Sequence, residues 1–217
     1  MKEYGAYLFD MDNTIVDSSK GYEKAFRAAF KEYGIPYDHS RYGEYIRTPL
    51  EKTFAKHHDA APCKFRDFYS IFAATYDRTH MDSVALFPDA AECIAALARS
   101  GKSLGVVSNS NTRYIIDILS DLGIRDLFGS LVGLDRVPTP KPDPAPVLLC
   151  MRELGAEPSD AVMIGDSGAD VAAGCSAGAD TVLVVRDGAR VAECSPTYRV
   201  SDLAIVSERP FAQDRSV

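Results

Sequence analysis

A chain of 217 residues, 46% hydrophobic and 25% charged, is long enough to bury a substantial core and has an ordinary globular balance. Its formal net charge of −7 argues against a nucleic-acid backbone or an anionic membrane as partner, and no apolar run approaches the ~18 residues of a membrane-spanning helix. Five cysteines (Cys63, Cys93, Cys150, Cys175, Cys194), an odd number without Cys-x-x-Cys spacing, argue against a disulfide scaffold or a zinc site and point to buried free thiols in a reducing compartment. Met1-Lys2-Glu3-Tyr4-Gly5 runs almost directly into a strand-like segment with no leader pattern, so the expected location is cytoplasmic.

In chain order, the first strand is expected at Ala6–Asp10. From Asp17 to about Phe87 the pattern turns aromatic and helical, with no clear strand. Tyr22, Phe26 and Phe30 recur at i, i+4, i+8; Phe65, Phe68, Tyr69, Phe72 and Tyr76 build a second apolar face. Alternation then begins: a helix over Ala90–Ser100, a strand at Ser103–Ser108, a helix over Arg113–Leu122 and a strand at Leu131–Leu134. A helix over Pro144–Leu154, a strand at Ala161–Ile164, a helix over Ala169–Ala177 and a strand at Thr181–Val185 follow. Each of these helices closes at a glycine (Gly101, Gly123, Gly155, Gly178), the residue that best ends a helix. Short Val/Leu/Ile strands alternating with helices predict an α/β fold: a parallel sheet covered on both faces. The tail, residues 208–217, reads as a partly ordered end.

Chemistry-bearing residues gather where strands end. The first strand delivers Asp10-Met11-Asp12-Asn13-Thr14. Open α/β sheets bind ligands at the carboxyl ends of their strands. Carboxylates at i and i+2 point to one side, about 7 Å apart along an extended chain. One can attack as a nucleophile while the other donates and accepts protons, and both can hold a divalent metal. The plainer reading is an acid pair that caps the next turn. Asn13 suits a left-handed turn, and Thr14 can support the loop.

Ser108-Asn109 ends the second predicted strand of the sheet, where a hydroxyl and backbone N–H groups can hold an anionic oxygen. Ser110 and Asn111 are better placed to cap the following helix, leaving Ser108 for a ligand. Lys141 lies between Pro140 and Pro142, which stiffen the loop around a neutralising ammonium. Asp166 and Asp170 follow another strand at a spacing that shares one helical side. Hard oxygen ligands without nearby His or Cys favour Mg²⁺; Asp170 also reads as a charge at a helix N-terminus. Arg47, in Ile46-Arg47-Thr48-Pro49-Leu50, can fork onto a second anionic group, or simply face solvent. His39, His57, His58 and His80 all lie in the helical stretch without metal spacing and read as surface or packing residues.

The four clusters, in this order on successive strands, resemble the motifs of the haloacid dehalogenase (HAD) superfamily, from about Tyr4 to Val206. The resemblance implies a Rossmann-like, doubly wound parallel sheet over residues 1–16 and 88–217, and an inserted helical cap of the phosphoglycolate-phosphatase-like type over residues 17–87. It implies an Mg²⁺-dependent phosphatase acting on a small phosphorylated metabolite through an aspartyl-phosphate. Asp10 is then the nucleophile, Asp12 the general acid/base, and Lys141 the neutralising and substrate-binding cation. Thr14, Ser108 and Asn109 are then substrate-binding, a set that Arg47 joins through its own chemistry rather than through the resemblance; Asp10, Asp12 (through its backbone carbonyl) and Asp166 surround the metal, with Asp170 bound directly, through water, or orienting Ser108 and Lys141. Asn13 stands where the family often has Gly, and Arg47 where a related loop often has Gly.

Three other readings stay open or fall. A sugar-phosphate mutase of the β-phosphoglucomutase kind, a pyrophosphatase or a nucleotidase would carry the same motifs. Metal-free dehalogenation would leave Asp12, Asp166 and Asp170 without work. A signalling receiver also uses Asp, Mg²⁺, Ser/Thr and Lys, but is shorter and lacks a large insert after its first strand. Monomer and homodimer are both compatible with the sequence.

Overall fold

The computed structural model describes residues 1–48, 50–57, 62–186 and 195–207. The chain divides into two compact units: Met1–Asp17 with Leu86–Val217, and Ser18–Ala85.

The first unit is built on a six-stranded sheet. Its strands are β1 (Ala6–Phe9), β4 (Ser103–Val107), β5 (Ser130–Val132), β6 (Ala161–Gly165), β7 (Asp180–Val184) and β8 (Tyr198–Val200). All pairings are parallel, in the order β5-β4-β1-β6-β7-β8. Strands run outward from β1 on both sides, so the order reverses beside it. In register, Phe9 lies beside Val106 and Ile164, which brings the chain exits of β1, β4 and β6 together. Two short strands, β2 (Val16–Asp17) and β3 (Ala85–Leu86), form a separate two-stranded ribbon. The sequence pattern had shown neither these nor β8: two or three residues are too few to display a period, and Tyr198-Arg199-Val200 carries a charge at its centre.

Helices α5 (Pro88–Arg99), α6 (Thr112–Asp121), α7 (Ala145–Leu154), α8 (Gly168–Ser176) and α9 (Ala204–Ser207) complete the unit. Ala6 and Leu8 join one core cluster with Val147, Cys150 and Met151 of α7 and Ala173 of α8. Tyr7 and Phe9, which point the other way, are buried too, so β1 is covered on both faces, as its uninterrupted apolar run requires. A Cβ on Gly105 would collide with the Cys150 thiol; the glycine lets α7 press against β4. Gly155 closes α7 in the left-handed conformation, φ 64°.

The second unit is helical: α1 (Ser19–Glu32), α2 (Tyr42–Arg47), α3 (Leu50–His57) and α4 (Pro62–Thr79). Phe26 and Phe30 of α1 meet Tyr45, Phe54, Phe68, Phe72 and Tyr76 in one buried aromatic cluster. Several of its pairs meet edge to face, as Phe26–Phe72 does at 4.9 Å between ring centroids and 70°. Tyr69 does not join it. One residue past Phe68, it turns out of the buried stripe and is 52% exposed.

Of the described histidines, His80 is buried against Tyr76 and His57 lies beside Phe30, which are packing positions, and His39 is on the surface, where it meets Glu23 at 3.3 Å. His58 lies outside the described residues, as do Cys194, the Cys63 side chain and the 208–217 tail. Cys93 and Cys150 are buried free thiols, whereas Cys175 is exposed, contrary to the expectation of buried thiols throughout. Among the described residues, no helix is long and apolar enough to cross a membrane.

Candidate active site

The loop after β1 is a tight turn built on one carbonyl. Met11 O accepts from the backbone N–H of Thr14, Ile15 and Val16 at 3.3, 2.9 and 3.0 Å. Asn13 sits at φ 57°, the left-handed conformation its short polar side chain tolerates. The Asp10 N–H donates to Ile164 O at 2.8 Å, which ties the start of the turn to β6. The Thr14 hydroxyl reaches Asp10 Oδ2 at 3.4 Å.

Lys141 enters from the loop before α7 and is only 5% exposed. Its Nζ donates to Asp10 Oδ1 (2.7 Å), Asp170 Oδ1 (2.6 Å) and Val107 O (2.6 Å), one acceptor for each of its three protons. The Asn109 side chain clamps the lysine's own peptide: its Nδ2 donates to Lys141 O and its Oδ1 accepts from Lys141 N, both at 3.0 Å. Asp143, two residues on, accepts from Ala145 N at 2.9 Å and starts α7.

After β6, Ser167 and Asp170 form a reciprocal capping box at the start of α8. Asp170 therefore has one oxygen on Lys141 and the other on the N–H and hydroxyl of Ser167. One carboxylate thus caps the start of α8 and also meets the Lys141 ammonium. A Cβ on Gly165 would collide with the Asp170 carboxyl group, so only glycine lets that group lie against the end of β6.

Ser108 is buried, and its Oγ accepts from Ser110 N at 3.0 Å. The helix caps differ from expectation. Asn111 holds the cap position of α6 without a side-chain bond, and the orphan N–H of Thr112 is met by Asp135 at 2.6 Å. The hydroxyl of Ser110 is turned instead to Asp12 Oδ2, at 3.1 Å. A carboxylate 98 residues away in sequence is a stronger acceptor than a local cap can offset, and nothing in the local pattern signals it.

Charge dominates this site. Asp10, Asp12, Asp166 and Asp170 act on one another around Lys141. Burial pushes the Asp10 carboxyl well above its usual range; Lys141 opposes the shift, and Asp170, Asp166 and Asp12 add to it. Burial also raises Asp166, to about 7, with Asp170 and Asp12 adding and Lys141 opposing. For Lys141 burial alone would favour the neutral amine, but Asp10 and Asp170 outweigh it and hold the ammonium protonated.

A surplus of buried carboxylate invites a cation. One oxygen from each of Asp10, Asp166 and Asp170 lies within 4.8 Å of the others. A cluster of hard oxygen donors without nitrogen or sulfur fits Mg²⁺. The Asp12 carboxylate is not part of that convergent set, and it meets the set through its charge. The structure thus assembles Asp10, Lys141, Asp166 and Asp170, sets Thr14 on Asp10, and places Ser108 and Asn109 at the adjoining strand end. Arg47 ends α2 in the helical unit, and its side chain lies outside the described residues.

The profile of the haloacid dehalogenase-like hydrolases matches residues 7–184. The phosphoglycolate phosphatase of Aquifex aeolicus is 32% identical over 200 residues, covering 89% of this chain and 91% of the relative. The pyrophosphatase PpaX of Oceanobacillus iheyensis is 29% identical over 199 residues, covering 90% and 92%. Among solved structures, a putative haloacid dehalogenase-like hydrolase from Bacteroides fragilis superposes with a TM-score of 0.83 at 25% identity, over 94% of this chain and all of the other. With the motif residues gathered at the strand ends and the match running through nearly the whole sheet, the chain belongs to the haloacid dehalogenase-like hydrolases and is an enzyme of the phosphatase type.

Proposed function

We propose that this enzyme is an Mg²⁺-dependent phosphatase that hydrolyses a small organic phosphate, phosphoglycolate or a similar metabolite, through an aspartyl-phosphate on Asp10. The observation that carries the reading is the buried Lys141 ammonium shared between Asp10 and Asp170. It neutralises a carboxylate that must approach an anionic phosphoryl group, and it fixes the attacking oxygen without blocking the second one.

The Asp10 carboxylate attacks phosphorus, and the bond from phosphorus to the leaving oxygen breaks. Asp12, protonated at this stage and oriented by Ser110, gives its proton to the leaving alkoxide. In the second half, water gives a proton to Asp12 as its oxygen attacks phosphorus. The bond to Asp10 breaks, inorganic phosphate leaves, and both carboxyl groups return to their starting forms. Ser108 accepts from Ser110 N–H, so its own proton is available to a phosphoryl oxygen. The Asn109 side chain is spent on Lys141, so the group it offers a phosphoryl oxygen is its backbone N–H. Asp10, Asp166 and the Asp12 carbonyl would hold Mg²⁺, with Asp170 as ligand or as the anchor of Lys141. When bound, the ion supplies neutralisation of phosphoryl charge.

Substrate choice belongs, in this reading, to the helical unit and to Arg47. Pyrophosphate is the second reading, favoured by the PpaX relative. The proposal carries the expectations of a cytoplasmic enzyme, monomeric or homodimeric, with no nucleic-acid or membrane partner. The test is phosphate release from phosphoglycolate, pyrophosphate, sugar phosphates and nucleoside monophosphates, with and without Mg²⁺, for wild type and Asp10→Asn. Mg²⁺-dependent release that vanishes in Asp10→Asn supports it. Wild type that releases phosphate from none of them overturns it.

A further inference from the structure

Behind the turn that carries Asp10 and Asp12 lies a side chain that none of the motifs includes. Arg186 lies two residues past the end of β7, and its guanidinium reaches back to the turn. Nε donates to Asn13 O at 3.1 Å and Nη2 to Thr14 O at 3.0 Å. The same Nη2 meets both oxygens of Asp89 at 3.1 Å, and the guanidinium carbon lies 3.8 Å from the centre of the Phe87 ring. Asp89 is itself anchored, accepting from Leu203 N at 2.9 Å, and the ion pair is mostly shielded from water (side chains 18% and 15% exposed).

The geometry points to Arg186 as a positioning residue for the reaction, an inference that rests on the functional reading above. The turn is the part of the site that most needs holding. Asn13 is in a left-handed conformation, and the Met11 carbonyl already serves three donors. The carbonyls of Asn13 and Thr14 then depend on an outside donor. Arg186 answers both from one rigid planar group, with Nε on Asn13 O and Nη2 on Thr14 O. It thereby fixes the peptide that links Asp12 to Thr14, whose hydroxyl sits on Asp10. The brace joins four segments: the turn after β1, the start of α5, the end of β7 and the start of α9. A lysine has the charge but not the fork, so it cannot satisfy two carbonyls and a carboxylate with the same geometry.

A recess of about 430 Å³, lined by Phe87, Asp89, Glu92, Arg186, Ser201 and Asp202 among others, opens beside the guanidinium. That recess makes a chemical test possible, because a free guanidinium ion can reach the space left by a shortened side chain. The experiment measures kcat and KM with p-nitrophenyl phosphate and Mg²⁺ for wild type, Arg186→Ala and Arg186→Lys, alongside the thermal midpoint. Each is repeated with guanidinium chloride kept far below denaturing concentration. The expected result is a kcat about 10- to 100-fold lower in both variants, with KM changed much less, as small misplacements of reacting groups produce. Added guanidinium should restore part of the rate in Arg186→Ala and none in Arg186→Lys.

A folded variant with wild-type kcat overturns the inference. So does a kcat loss in Arg186→Ala that guanidinium does not relieve, since that marks a structural role alone. Should Arg186→Ala not fold, Arg186→Lys decides by its kcat-against-KM split. Wild type that is itself inactive overturns the functional reading and this inference together, whereas a variant equal to an active wild type overturns this inference only.

Discussion

Two buried clusters in this molecule hold themselves together in opposite ways. In the helical unit, Phe26, Phe30, Phe54 and Phe68 are all but fully buried and meet one another and Tyr45 through ring faces and edges. Each such ring contributes about 1.5–3 kcal/mol by leaving water, and no single contact is indispensable. At the strand ends of the sheet, Asp10, Lys141 and Asp170 are just as buried, but every stabilising contact there is a particular donor on a particular acceptor. Burial that is interchangeable holds up the fold. Burial that is specific costs desolvation and leaves like charges facing each other, so it stores reactivity rather than stability. If this contrast is right, substitutions in the two clusters should separate activity from stability.

The largest expected effect is on activity at Asp10. Asp10→Asn keeps the shape of the side chain and removes the nucleophile, so phosphate release should fall by about 10³-fold or more. Its thermal midpoint should hold or rise, because neutralising one carboxylate relieves repulsion from Asp12, Asp166 and Asp170 while Lys141 keeps Asp170. An Asp10→Asn protein that melts far below wild type would mean that the pair with Lys141 is structural first, and the contrast would fail.

The converse substitution is Phe68→Ala. Phe68 is fully buried between Phe54, at 4.6 Å between ring centroids, and Phe30, at 5.9 Å. Removing it should cost about 3–5 kcal/mol of unfolding free energy, read from the urea midpoint. Activity per folded molecule should fall far less than in Asp10→Asn. Equal losses of activity in the two variants would merge what the comparison separates.

How far the sequence revealed these clusters differs for a physical reason. Asp10, Asp12, Ser108, Asp166 and Asp170 stand at or soon after the ends of hydrophobic strands, whose spacing is visible in one dimension, and Lys141 is marked by the prolines on either side of it. The aromatic stripe on α1 is visible through its 3.6-residue period, while the spacing that places Tyr69 on the apolar face of α4 fails there, since spacing alone does not locate the edge of a stripe. The capping box of Ser167 and Asp170 has a local signature, Ser-x-x-Asp; the sequence shows its acidic half as a helix-terminal charge, and the structure adds the serine that completes it. Ser110 on Asp12 and Arg186 on Asp89 have no local signature at all. Their partners are 98 and 97 residues away, so Ser110 reads only as a local helix cap and Arg186 carries no motif until the sheet brings the segments together.

Ser110 sharpens the comparison at intermediate size. Its hydroxyl is the donor that holds Asp12 Oδ2 at 3.1 Å, and a small misplacement of a reacting group lowers the rate. Ser110→Ala should therefore lower kcat by about tenfold while lowering the thermal midpoint much less than Phe68→Ala does. Ser110→Thr, which keeps the hydroxyl, should recover most of the rate. A Thr variant as slow as the Ala variant would assign the effect to packing rather than to the orientation of Asp12.

The smallest effect is expected at Asp89, which stands between the two extremes: partly buried, charged and braced. Burial alone would raise its pKa, but the Leu203 N–H and the Arg186 guanidinium outweigh burial and hold it below the ordinary value of 3.8. The folded protein thus gives up the Asp89 proton more readily than the unfolded chain does. The stabilisation is fully present above pH 3.8 and is lost as pH falls from there through the depressed folded value, where both states become protonated. Asp89→Asn has no proton to exchange, so its unfolding free energy should fall less steeply than wild type over that acid window. One proton bounds the difference at about 1.4 kcal/mol per pH unit. At neutral pH the same variant should be less stable than wild type, because the amide cannot return the charge that Arg186 needs. Parallel acid limbs measured by urea unfolding would show that Asp89 is protonated alike in both states, and the brace would then hold Arg186 by shape rather than by charge.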